Sequence, residues 1–185
     1  MGYTIDIFNA DFSSEKHALT FVGIFNEMLL DDLCGSYSLC DRDVQRIGDS
    51  YHINIEGSPL FVDAERGDQL TPVIERFLKE NQDAEFSAHY SCAFSNCGDT
   101  TYIDFEYNDG VLTVDTRWGE MPYETYCEEC DYDSEEDFED EDEEIKYLVD
   151  LETWEPDKEY RCPQCGAIIE FEATRYVEEI PIIEN

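Results

Sequence analysis

Thr101-Tyr102-Ile103-Asp104-Phe105-Glu106-Tyr107 runs into Asn108-Asp109-Gly110 and resumes as Val111-Leu112-Thr113-Val114. Alternation of period two places Ile103, Phe105 and Tyr107 on one side of an extended chain. An Asp-Gly break between two such runs is a hairpin signal, because those residues tolerate the positive φ that a tight turn needs. Phe86 to Phe94 reads as a further strand just upstream, so residues 85–118 are expected to form a three-stranded meander.

Towards the N-terminus the period changes. Tyr3-Thr4-Ile5-Asp6-Ile7-Phe8 reads as a strand. Ser13 or Ser14 is placed to cap a helix running to about Leu33. On that helix Ala18, Phe21, Val22, Phe25, Met28 and Leu29 recur at three- and four-residue steps and make one apolar stripe. Tyr51-His52-Ile53-Asn54-Ile55 reads as a second strand, stopped by Gly57-Ser58-Pro59. Thr71 before Pro72 reads as the start of a second helix, with Ile74, Phe77 and Leu78 on its buried face. Strand, helix, strand, helix and meander predict an α+β domain: an antiparallel or mixed sheet with two helices on one face. The element order resembles the ferredoxin-like fold, a likeness that bears on architecture and carries no function.

A boundary is expected near Gly119–Tyr123, giving an α+β domain over 1–120 and a small β-rich module over 121–185 with an acidic loop at 131–144. Ile145–Val149 and Ala167–Phe171 read as strands of that module. The apolar tail Ile180-Pro181-Ile182-Ile183 is expected to pack, in one arrangement against the first domain.

Two cysteine pairs carry the strongest chemical signal. Tyr126-Cys127-Glu128-Glu129-Cys130 and Tyr160-Arg161-Cys162-Pro163-Gln164-Cys165-Gly166 stand 31 residues apart, counted between Cys130 and Cys162. In a CxxC turn the backbone N–H groups that follow the first thiolate point at its sulfur, and two facing turns offer four sulfurs to one tetrahedral metal. The two segments resemble the knuckles of a zinc-ribbon domain over about residues 123–175. The second matches closely, including Gly166, which permits a left-handed turn; the first has Asp131 where glycine is common. The resemblance implies one structural Zn²⁺ held by Cys127, Cys130, Cys162 and Cys165. A rubredoxin-like iron site and a redox dithiol are the competing readings. A thioredoxin-type dithiol would sit at a helix start in a βαβ unit, which neither pair does. Cys34, Cys40, Cys92 and Cys97 are spaced too loosely for knuckles. They read as free cysteines, ahead of a second zinc that could use His89, or a disulfide.

Charge supplies the other signal. The chain of 185 residues has 47 acidic and 11 basic side chains, a formal charge of −36. From Glu128 to Glu144, 13 of 17 residues are acidic and none is basic. The densest part is an arm made of Asp131, Asp133, Glu135, Glu136, Asp137, Glu139, Asp140, Glu141, Asp142, Glu143 and Glu144. Binding of nucleic acid or an anionic membrane is disfavoured, because both need Lys and Arg clusters. Specific calcium binding is disfavoured too, since the arm has no glycine at the sixth position of an EF-hand loop. A solvated arm, a halophilic-type surface and a recognition surface remain. Tyr132, Phe138 and Tyr147, interleaved with the acids, favour recognition.

No Gly-rich phosphate loop is present, and His17, His52 and His89 fall in no nucleophile or metal motif, so no enzyme is expected. The expected function is a non-enzymatic, zinc-binding acidic interaction protein that engages the basic nucleic-acid-binding cleft of a partner. Small acidic inhibitors of restriction and CRISPR nucleases are similar to it in charge and size. The alternatives are a transcription-associated zinc-ribbon factor acting on a polymerase, and a structural or assembly partner of a basic protein. No basic n-region with an apolar core opens the sequence, and CxxC pairs suit a reducing compartment, so the cytoplasm is expected.

Overall fold

The computed structural model describes residues 4–29, 39–57, 67–94, 99–120, 126–127, 129–130, 132–133, 151–169 and 173–183. Strand β1 (Thr4–Phe12) leads into helix α1 (Glu15–Leu29), followed by β2 (Val44–Ile47), β3 (Ser50–Gly57) and helix α2 (Gly67–Glu80). The meander is β4 (Phe86–Phe94), β5 (Asp99–Asn108) and β6 (Val111–Glu120). Two-residue strands β7 (Tyr126–Cys127) and β8 (Tyr132–Asp133) pair with each other, and β9 (Ala173–Pro181) closes the chain.

The main sheet has seven strands in the order β2-β3-β1-β4-β5-β6-β9, every neighbour antiparallel. Its first four strands keep the ferredoxin-like order, and β5, β6 and β9 extend the sheet beyond β4. The α+β expectation therefore holds. The β5–β6 hairpin turns through Asp109 and Gly110, at φ 51° and 82°, as the Asp-Gly pair demanded.

Both helices cover one face. Phe8, Ala10 and Phe12 of β1 alternate inward to meet Phe21 and Phe25 of α1 and Leu70, Ile74 and Phe77 of α2 in a single buried cluster. Ser14 accepts the His17 N–H at its hydroxyl (3.2 Å) and caps α1 as expected. The Asn26 amide clasps the backbone of Leu39 from both sides, at 2.7 and 2.8 Å, fixing the chain where it rejoins the core.

Three local features differ from the expectations or add to them. Helix α2 begins at Gly67, not at Thr71, and runs through Pro72. Proline there forgoes one helical hydrogen bond, while Leu70 and Val73, both fully buried, hold the turns on either side against the core. Strand β2 was not foreseen: only Val44 packs inward, and its other three residues are exposed. Lastly, residues 173–183 complete the main sheet. Strand β9 pairs along β6, and Ile182 is buried in the main core. The tail thus packs on the first domain, and as a strand that begins seven residues before Ile180. The strand expected over 145–149 lies outside the described residues, as do 170–172. Before them, Arg161 and Ile168 form an isolated bridge. Among the described residues no helix is long and apolar enough to cross a membrane.

Candidate metal centre

The four knuckle cysteines converge. Their Sγ atoms all lie within 4.8 Å of one another. Cys127 and Cys165 stand 3.7 Å apart, as do Cys130 and Cys162. A tetrahedron of sulfurs, each about 2.3 Å from a central ion, has edges of roughly 3.8 Å. Disulfides need about 2.05 Å, so these pairs are not bonded to each other. A four-sulfur cage sized for one ion remains. Its geometry fits zinc, and the same donors would also suit iron.

Each knuckle is built by backbone. In the first, Cys130 N–H donates to the Cys127 carbonyl (3.3 Å), and β7 and β8 pair Cys127 with Tyr132. In the second, Cys162 N–H donates to the Ala167 carbonyl and Gly166 N–H to the Cys162 carbonyl, both at 2.9 Å. Gly166 sits at φ 75°, as its place in the motif required. The Arg161 guanidinium donates to the Gly166 carbonyl at 2.7 Å and pins that turn from outside.

Cys127 and Cys162 are both buried. Burial opposes the Cys162 thiolate, but N–H groups of Cys165 and Gln164, with the thiols of Cys127 and Cys130, outweigh it and lower its pKa to about 7. At Cys127 burial prevails and raises the pKa, against the N–H of Glu129. Here are the backbone donors that the CxxC spacing anticipated, on both knuckles.

A small second core secures the module. Leu151, which opens a 3-10 turn over Leu151–Thr153, and Trp154 just after it pack with Tyr160 and Ile169 against Tyr102 of β5 and Ala173 of β9. Tyr102 lies on the sheet face opposite Ile103 and Phe105, so the module docks on the face that the helices leave open. The Tyr160 hydroxyl accepts the Glu155 N–H at 3.0 Å. No single-residue signal distinguished Leu151 and Trp154 in advance.

Of the acidic arm, the described residues include only Tyr132 and Asp133. Asp131, Glu135, Glu136, Asp137, Glu139, Asp140, Glu141, Asp142, Glu143 and Glu144 lie outside them. The described residues on either side are β8, which pairs Tyr132 with Cys127, and Leu151, which packs on the open face. Of the four other cysteines, Cys92 is buried in the main core and Cys40 is exposed, while Cys34 and Cys97 lie outside the described residues.

The histidines, scattered in sequence, each meet a carboxylate. His17 faces Asp83 (3.5 Å), His52 meets Asp11, and His89 Nδ1 meets Asp104 (2.7 Å). The last belongs to a network across four strands that the sequence reading missed. Arg117 reaches Asp104 (2.6 Å) and Asp115 (3.2 Å), and Arg175 of β9 grips Asp115 through Nε and Nη2 (3.0 and 2.8 Å). A hollow of about 470 Å³ opens over these residues. Burial would raise both carboxyl pKa values, but the His89 contact and Arg117 hold Asp104 low, and Arg175 and Arg117 hold Asp115 low.

The sign of the pH effect follows. A carboxyl whose folded pKa is depressed contributes stability above its unfolded value, near 3.9, and loses it as pH falls through the folded value. Asp115→Ala is expected to cost about 1–3 kcal/mol at neutral pH. The gap from wild type should stay constant down to about pH 4 and close below it. Urea unfolding of both proteins from pH 3 to 7 checks this; a constant gap at every pH contradicts it.

No protein-family model, curated protein or solved structure matches the chain.

Proposed function

We propose that this chain is a non-enzymatic acidic interaction protein whose four cysteines hold one structural Zn²⁺ in a zinc ribbon. The metal-clamped base presents the acidic arm to a basic, nucleic-acid-binding cleft of a partner. The convergence of four sulfurs at the root of the arm carries this reading. Four thiolates fill a tetrahedral ion's coordination and leave no position for substrate, so the metal's role is to hold structure. Zinc fits because it accepts four sulfurs without redox change. With four thiolates the site adds a charge of about −2 to an already acidic module.

Closely spaced carboxylates imitate the field of a phosphate backbone, which makes a cationic groove the natural receptor. Encounter should be fast and weaken as salt screens it. The test uses the full chain and a variant lacking residues 131–144, immobilised and exposed to cell extract at rising salt. The full chain should retain basic nucleic-acid-binding proteins, and duplex DNA should displace them. The deletion should weaken capture on the order of tenfold and flatten its salt dependence. Capture unchanged by the deletion would sink the mimicry reading. Retention of RNA polymerase would transfer the assignment to a transcription-associated ribbon.

A further inference from the structure

Strand β9 ends the seven-stranded sheet, and among the described residues no strand pairs with its outer edge. Thr174 through Glu179 are all exposed, with Tyr176 at 64% and Val177 at 49%. Backbone direction along it can be fixed. Ile182 N–H donates to the Gly110 carbonyl at 2.8 Å, in register with the β6–β9 pairing. Even-numbered residues therefore turn their N–H and C=O groups to β6, and Ala173, Arg175, Val177 and Glu179 turn theirs outward. Pro181 falls in the outward set and has no N–H to offer, so the free edge ends there.

A nine-residue edge with apolar side chains at its middle is a template for another strand. We propose that the strand it takes is β9 of a second copy of this chain, antiparallel about a two-fold axis through Val177. In that register Val177 pairs with itself through its outward backbone groups. Arg175 lies opposite Glu179 of the second copy, and Tyr176 opposite its Glu178. Neighbouring registers lose this match. Centring on Tyr176 sets Arg175 against Val177, centring on Glu178 sets two glutamates together, and centring on Arg175 sets two arginines together. Arg175 uses Nε and Nη2 on Asp115, which leaves Nη1 for the second carboxylate. The axis is perpendicular to the sheet, so the two sheets join as one, with all helices on one side and both metal modules on the other.

The charge of −36 per chain opposes this association at low salt. Screening relieves the repulsion, and the backbone pairing is insensitive to it, so the dimer forms as salt rises. This sign is opposite to that of partner capture through the acidic arm and keeps the two proposals separable.

Sedimentation equilibrium of the full chain, at about 0.05 and 0.5 M NaCl, tests the proposal. Wild type should shift from monomer towards dimer at the higher salt. Val177→Pro removes an N–H that turns away from β6 and bonds nothing among the described residues. It should weaken dimerisation at least about tenfold and leave the thermal midpoint unchanged. Glu179→Lys should weaken it comparably by facing Arg175 with a like charge, and it decides the matter if the proline variant fails to fold. A wild type monomeric at both salts overturns the proposal. So does a dimer indifferent to both variants, which would be formed by another surface such as the β2 edge. Loss in Val177→Pro alone, with Glu179→Lys unaffected, overturns the register.

Discussion

Cys162→Ser is expected to abolish metal binding and unfold residues 151–169 while leaving the main sheet intact. The apolar content of that segment explains why. Among the described residues, Leu151 and Trp154 are the buried members of its core, with Tyr160 and Ile169 half-buried around them and Tyr102 and Ala173 lent by the sheet. A cluster so small cannot offset the entropy of ordering some twenty residues, at roughly 1–2 kcal/mol for each backbone. A structural zinc in a comparable peptide supplies about 10–16 kcal/mol at neutral pH. Metal binding and folding of the module should be one event. The chain's two tryptophans report it separately: Trp154 is 8% exposed and Trp118 47%. Loss of the metal should move Trp154 emission to longer wavelength, with Trp118 and the strand signal in circular dichroism nearly unchanged. Wild type should carry about one metal per chain, and a chelator should reproduce the variant's spectrum. An unshifted Trp154 emission in the metal-free protein would show that the module folds without its ion.

Local chemistry explains which parts of this architecture were readable in advance. The β5–β6 hairpin is encoded within a few residues, by alternation on both arms and by Asp109-Gly110 between them. The same holds for the knuckles, where CxxC spacing, joined in the second by Gly166, dictates a turn that needs no distant partner. Helix α1 announced itself through a stripe that ends as Phe21 and Phe25 stacked near Phe8. Other features depend on partners far along the chain. Strand β9 lacks alternation because it is an edge with little buried on either side, and its identity comes from β6, some sixty residues earlier. Arg175 and Asp115 meet only once that pairing exists. The true start of α2 was hidden by Pro72, whose local preference for a first turn yielded to the burial of Leu70. Charge pattern marked the arm and left the cross-strand network on the open face unmarked, because single acids alternating with apolar residues look like any solvated strand.

Phe77→Ala should be the most damaging substitution in the main domain. Phe77 is fully buried on α2 and touches every layer. Its ring meets Phe12 of β1 at 5.6 Å and 89°, Phe21 of α1 at 5.6 Å and 83°, and Phe86 of β4 at 5.6 Å and 53°. Edge-to-face geometry of this kind adds about 0.5–1.5 kcal/mol per pair beyond area burial. Truncation removes these contacts and leaves a cavity whose walls are rings held by helix α1 and two strands, so little collapse can fill it. The expected cost is about 3–5 kcal/mol, a large part of the roughly 5–15 kcal/mol that holds a domain folded. At this chain length it corresponds to a fall of roughly 10–15 °C in Tm. Self-repulsion from the −36 charge subtracts further at low ionic strength, so added salt should recover stability in wild type and variant alike without closing the gap between them. Phe77→Leu, which keeps most of the volume and loses the ring geometry, should cost less than half as much as the alanine. Urea unfolding of the three proteins at two salt concentrations measures all of this. A loss below about 1 kcal/mol in Phe77→Ala would mean that the aromatic cluster does not hold the helices to the sheet.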